Sequence, residues 1–239
     1  MHTVYIGTAG WSISSAAASH FPLDGSHLQR YAHVLDCVEI NSSFYRPHQS
    51  ATYARWADSV PDHFRFSVKL PRSITHERRL RDGETELDRF ALEVGELGSK
   101  LGCVLVQLPP SLRFEADVAA EFFNTLRQRF DGMLACEARH PSWFEVGATE
   151  LLMMQGITRG RADPPAGQPG PHVPTTDIAY LRLHGSPRIY YSDYPADDLA
   201  ALAAELRTPA HADSWCIFDN TAAGAALFNA LDLQARISA

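Results

Sequence analysis

Along the 239 residues, short runs of apolar and β-branched side chains alternate with longer stretches in which apolar positions recur every three or four residues. The short runs TVYIGT (3–8), CVEINS (37–42), RFSVKL (65–70), CVLVQL (103–108), LACEAR (134–139), ITRGRA (157–162), YLRLHG (180–185) and WCIFDN (215–220) predict eight strands. Residues 27–34, 50–58, 84–100, 116–130, 148–155, 197–207 and 221–232 predict helices between them. The stretch ETELDRFALEVGELGSKLG, with its three-and-four spacing, has the stripe of a helix laid on a sheet. Eight strands separated by helices predict an α/β fold: a TIM-type (β/α)8 barrel forming one domain over 1–239. A doubly wound open sheet is the alternative, but no G-x-G-x-x-G follows the first strand. The alternation breaks once, at DPPAGQPGPHVPTT, with five prolines between Pro164 and Pro174. Proline at that density excludes a helix, so a loop is expected in place of helix six.

Within the strands, alternate residues face opposite sides. In CVEINS, Val38 and Ile40 form the apolar face that should meet helices, which turns Cys37, Glu39 and Asn41 inward. The same parity turns Arg65, Ser67 and Lys69 inward in the third strand, and Tyr180, Arg182 and His184 in the seventh. Glu137 and Arg139 share a face with Ala135, and Gln107 shares one with Cys103 and Leu105. In the eighth strand either Asp219 or Asn220 is the inward residue. Most of these groups fall late in their strands, at the C-terminal mouth where barrel enzymes place their sites. A charge removed from water must be paired, hydrated or matched by a ligand, so polar residues on five or more strands imply a polar cup.

Composition changes the picture little: 45% hydrophobic and 21% charged residues describe an ordinary globular chain. The net charge of −7 argues against a protein that coats nucleic acid. Cys37, Cys103, Cys136 and Cys216 all sit in apolar runs with no C-x-x-C pair, as buried thiols in a reducing compartment do. The start MHTVYIGTAGW lacks a signal-peptide layout, and no apolar run is long enough to span a membrane. A cytoplasmic protein is expected.

The stretches YIGTAGW, VEINSSFYRP, FRFSVKLPRSITHERRL, KLGCVLVQLPPS, EARHPSW, YLRLHG with the following YYS, and FDNTAAGAALFNAL resemble, in order and over nearly the whole chain, the YecE-like family, also termed domain of unknown function 72. That resemblance implies a TIM barrel and leaves the activity open. Two stretches depart from the family pattern: SISSAAASHF lacks the aromatics often found there, and Asp219-Asn220 stands where paired asparagines are common.

Glu39 and Glu137 have the chemistry of a general acid and base, or of metal ligands with Asp163, His184 and Asp219. No local ligand spacing supports a metal, and none is assigned. Pairing of the carboxylates with Lys69, Arg139 or Arg182 is the structural alternative. His184 is the candidate proton carrier, with His140 a second. Lys69 can hold an anion or, with a depressed pKa, form a Schiff base; a paired, anion-holding lysine is the more ordinary role. Catalytic roles are thus expected for Glu39, Glu137 and His184, and substrate contacts for Asn41, Lys69, His76, Gln107, Arg139, Trp143, Arg182 and Asn220. Tyr45, Phe44, Tyr190 and Tyr191 lie in loops where aromatics stack on sugars or bases, or plug the mouth. With Arg65, Lys69, Arg139 and Arg182 against Glu39 and Glu137, the cup is neutral to slightly positive on an acidic chain. A small anionic ligand is therefore expected: phosphorylated or sugar-like, transformed by acid/base chemistry. A nucleic-acid processing barrel, using Arg78, Arg79 and Arg81 on phosphates, is the second reading, and a non-catalytic binding protein the third. The cofactor, substrate and oligomeric state are not specified by any motif.

Overall fold

The structure is a computed structural model that describes residues 2–208 and 211–238. Its strands are β1 (Thr3–Thr8), β2 (Cys37–Ile40), β3 (Arg65–Lys69), β4 (Leu101–Gln107), β5 (Met133–Glu137), β6 (Ile157–Arg159), β7 (Arg161–Asp163), β8 (Ile178–Leu183) and β9 (Asp213–Phe218). Its helices are α1 (His27–Ala32), α2 (Ser50–Asp58), α3 (Glu84–Gly95), α4 (Ala116–Arg127), α5 (Val146–Met154), α6 (Ala196–Arg207) and α7 (Ala225–Ser238). Two sheets result, in the orders β1-β9-β8-β7 and β2-β3-β4-β5-β6, and every strand pair is parallel. The order follows the chain, without the reversal of a doubly wound sheet.

The sheets adjoin at two seams. At one, Ala9 bridges Glu39 just beyond β1, and Gly10 N donates to Glu39 O at 2.9 Å. A Cβ at Gly7 would overlap the Cys37 carbonyl, so glycine is what lets β1 lie this close to β2. At the other seam a single run of chain serves both sheets. Cys136 pairs with Arg159 and Leu181 with Arg161, so the predicted sixth strand passes from one sheet to the other at Gly160. Gly160 N donates to Cys136 O at 2.8 Å as the backbone crosses beside Glu137.

The two faces of the strands differ as their alternation requires. Val38, Ile40, Phe66, Val68, Val104, Val106, Leu181 and Leu183 pack with Tyr31, Phe90, Phe122, Phe123 and Leu227 in the layer under the helices. The opposite faces contribute a smaller apolar cluster: Cys37, Cys103, Leu105, Ala135, Tyr180, Trp215 and Ile217. All four thiols are buried and unbridged. Beyond that cluster, toward the strand C-termini, the inward side chains become polar.

Two predicted helices shift most. Helix 84–100 ends at Gly95, and a short turn at Gly98–Lys100 leads into β4. The last helix begins at Ala225 instead of 221, after turns that include the Gly224 N–Thr221 O hydrogen bond. Residues 164–177 hold no helix, as their prolines predict. Among the described residues, no helix is long and apolar enough to cross a membrane.

Candidate active site

Arg182, near the end of β8, is 0% exposed and joins side chains from three other strands. Its Nε and Nη2 donate to Glu39 Oε2 and Oε1 at 2.9 and 2.7 Å, a two-pronged contact with β2. Its Nη1 donates to Glu137 Oε2 of β5 at 2.6 Å, and Nη2 also reaches Asp219 Oδ2, just past β9, at 3.0 Å. Below Glu39, Ser67 Oγ and Tyr180 Oη lie 2.6 Å apart, and Tyr180 Oη donates to Glu39 Oε2 at 3.2 Å. Glu137 Oε1 takes a second guanidinium, Arg139, through Nε at 2.8 Å. A guanidinium so committed has little left to offer a ligand. Arg182, expected to hold substrate, instead fixes three carboxylates.

His184 Nδ1 bonds Asp219 Oδ2 at 3.0 Å, and its Nε2 stands 3.5 Å from Glu137 Oε2, buried and without a well-formed hydrogen bond. Burial opposes the imidazolium, but Asp219 and Glu137 outweigh it and raise the His184 pKa. For Glu137 and Asp219, burial favours protonation, yet Arg182 and then His184 prevail: Glu137 is held well below the usual carboxylate range, and Asp219 is lowered too. Each of the three groups thus favours the charged form of its partners.

Lys69, the last residue of β3, is 5% exposed and meets no carboxylate within ion-pair distance among the described residues. Its Nζ lies 4.1 Å from the centre of the Phe44 ring. Burial, followed by repulsion from Arg182, brings its pKa down to about 8 against the pull of Glu39, Glu137 and Asp219. His76 sits edge-on to the same Phe44 ring, centres 4.9 Å apart. A π-type turn over Ser73–Glu77, closed by Arg78 N–Ser73 O at 2.9 Å, carries it; such turns recur at functional sites. Burial, then the charges of Lys69 and Arg139, take the His76 pKa down to about 4. Gln107 ends β4 in register with Glu137, and Asn41 follows β2 with a buried, unpartnered Oδ1. Tyr190 covers His184 edge-on at 5.8 Å between ring centres. Its φ of 71° is held by Tyr190 N–His184 O at 2.6 Å and Ala222 N–Tyr190 O at 3.0 Å. A left-handed tyrosine is uncommon, and such strain gathers at functional positions.

Glu39, Lys69, Glu137, Arg182 and His184 therefore converge, joined by Arg139, His76 and Asp219. Other expected members lie elsewhere. Trp143 is core: its ring packs on Phe114 and Phe123, and Nε1 donates to Leu112 O at 3.0 Å. Asn220 turns away from the cluster and ties Ser192 O and Asn229 Oδ1 together through Nδ2, which settles the open choice in favour of Asp219 as the inward residue. Alternation could have settled it, since Asp219 shares parity with Trp215 and Ile217, while Asn220 goes with Cys216 and Phe218. Arg65 begins β3 and donates to the carbonyls of Asp62 and Phe64, at the opposite end of the strand from Lys69. His140 Nδ1 caps a short turn with Ser142, and Asp163 accepts from Tyr194 Oη at 2.7 Å. Arg78 and Arg81 pair with Glu86 and Glu115, and Arg79 bonds Ser111, so the expected cationic lip is engaged with α3 and with the segment between β4 and α4. The Ser67–Tyr180–Glu39 chain was missed as a unit, although parity had turned all three inward.

Residues 5–239 match the family described as "Protein of unknown function DUF72". The chain belongs to the DUF72 family. Two curated relatives are similar at 28% identity: UPF0759 protein YecE of Escherichia coli over 64% of this chain, and UPF0759 protein YunF of Bacillus subtilis over 59%. The chain spans about half the length of these relatives, 55% and 52%. A DUF72 family protein from Thermotoga maritima superimposes with a TM-score of 0.83 at 27% identity, covering 100% of both chains. One from Enterococcus faecalis superimposes equally well, at 0.83, with 21% identity, covering 99% of this chain and 96% of that one. None of these names carries an activity.

Proposed function

We propose that this DUF72 protein is an enzyme that binds an anionic polar substrate, phosphorylated or sugar-like, at the C-terminal mouth of a (β/α)8 TIM-type barrel and transforms it by proton transfer. The barrel reading rests on the two seams, and on Arg182 reaching carboxylates from both sheets. The reaction reading rests on one observation: beside the ion cluster around Arg182, and among the described residues, His184 Nε2 is buried without a hydrogen-bond partner and Lys69 Nζ lies against the Phe44 ring with no hydrogen-bond acceptor. Orphaned polar atoms in a buried site are what a ligand is needed to satisfy.

In this reading His184 carries the proton, oriented by Asp219 and steadied by Glu137. Glu137, so strongly favoured as a carboxylate, is poorly suited to donate one. Glu39 and Arg182 are positioning residues. Lys69, Arg139 and the neutral His76 meet the anion, with Asn41 and Gln107 fixing its polar groups. With Lys69 and His184 protonated, four cations face three carboxylates, so the mouth attracts anions although the chain carries −7. The buried thiols fit a reducing, cytoplasmic setting. The nucleic-acid alternative loses its main support with the pairing of Arg78 and Arg81.

Thermal-shift titration with inorganic phosphate, sugar phosphates and small carboxylates tests this, because ligands of the native state raise its melting temperature. A rise is expected with at least one class, diminished in Arg139→Ala and retained in His184→Gln. No rise with any of them sinks the proposal. A rise with no turnover of the bound compound leaves a binding protein.

A further inference from the structure

Of the 21 basic side chains in this sequence, only Lys69 and Lys100 are lysines; the rest are arginines. Lys100 is structural, its Nζ donating to the carbonyls of Ala57 and Val60 at 2.7 Å each. Lys69 is different. Its Nζ has no hydrogen-bond acceptor among the described residues, and lies against the Phe44 ring beside the ion cluster. Were the task only to hold an anion, the planar five-donor fork of arginine would serve better, as it does at Arg139 in the same site. What a lysine offers and an arginine cannot is a primary amine able to shed its proton and attack an electrophilic carbon.

We propose that Lys69 forms a protonated imine with an aldehyde or ketone group of the substrate, so that the site takes carbonyl-bearing anions. This rests on the reading of the mouth as an anion site and narrows it. Neutral Nζ attacks the carbonyl carbon; a C–N bond forms, and the carbonyl π pair moves to oxygen, which takes a proton from the His184 imidazolium. The carbinolamine nitrogen, still carrying two protons, passes one of them to that hydroxyl, which leaves as water while nitrogen becomes doubly bonded to carbon. The sum is one carbonyl compound, one amine and one proton giving one iminium and one water. Glu39, Glu137 and Asp219, whose charges already favour a cation at Lys69, stabilise the iminium. A C–H bond beside it can then release its proton to the now neutral His184, with the electron pair drawn toward nitrogen. Hydrolysis of the imine restores the amine. Burial and Arg182, which lower the Lys69 pKa to about 8, supply the neutral amine that the first step needs.

Two lysines make the test simple to read. The intact protein is mixed with dihydroxyacetone phosphate, glyceraldehyde 3-phosphate or pyruvate and sodium cyanoborohydride, which reduces an imine to a stable secondary amine. Intact mass then counts adducts, and fragmentation locates them. The expected result is a single adduct on Lys69 with at least one probe, forming more than about tenfold faster than at Lys100, as the lowered pKa requires. Lys69→Arg should lose it while keeping its circular dichroism. Location of the adduct in the unaltered protein decides the matter even if that variant misfolds. No adduct with any probe, or adducts confined to Lys100 and the α-amino group, overturns the proposal. A phosphate-induced rise without an adduct overturns the imine alone; absence of both overturns the anion site as well.

Discussion

Arg182 balances three buried carboxylates, so its removal leaves negative charge with no compensation in a low-dielectric interior. Arg182→Met should destabilise the fold by about 3–5 kcal/mol, read from the midpoint of urea denaturation, with a fall of roughly 10 °C in melting temperature for a domain this size. Lys69 gives the opposite sign. Its ammonium is desolvated with no ion-pair partner among the described residues, so Lys69→Met should raise stability by about 1 kcal/mol near neutral pH while weakening anion binding, the usual exchange between stability and activity. His184 adds a pH signature. Its folded pKa is raised, so its stabilisation is complete below the unfolded value of about 6.5 and fades as pH rises through the folded one. Stability curves of wild type and His184→Gln should therefore diverge on the acid side of neutrality and converge on the alkaline side; a gap that widens upward in pH refutes the assignment. Much of this site was legible in the sequence because two-residue alternation fixes which strand residues share a face. Trp143 was misread for a different reason: the sequence EARHPSW places an aromatic after a strand, but only the positions of Phe114 and Phe123 show that its ring lies under the helices.

At the scale of elements, the strands were easier to read than the joints between them. The run Ile157–Ala162 looks like one strand and is continuous in the chain, yet nothing in its composition says that its halves pair with different sheets. The turn over Ser73–Glu77 was equally invisible, because a π-type turn is a hydrogen-bond pattern and not a residue preference. The seams can be probed through their glycines. A methyl group at Gly7 would collide with backbone, whereas one at Gly160 would meet Cys136 O at 3.4 Å and Glu137 Cα at 3.5 Å, ordinary contact distances. Gly7→Ala should cost about 1–3 kcal/mol, and Gly160→Ala well under that, in parallel thermal melts. Equal losses would mean that β1 and β2 are not held as close as they stand here.

For the molecule as a whole, acid is the condition to which the ion cluster is most exposed. Glu137 and Asp219 have folded pKa values below their unfolded ones. Their contribution is therefore full above about pH 4 to 4.5 and lost as pH falls through the folded values. Acid unfolding should be steep in that range, and Glu137→Gln should flatten it; an unchanged acid limb in that variant counts against the cluster as a stabilising unit. The four thiols offer a way to follow such openings. Cys37 and Cys103 lie on the inner face of the strands and Cys136 and Cys216 under the helices, none more than 1% exposed. A thiol reagent should find nothing to modify in the native protein, and its uptake over time would then act as a clock for excursions out of the native state. If the inner and outer pairs are consumed at one rate, the molecule opens as a whole; if the outer pair reacts first, the helices peel away while the strands stay together.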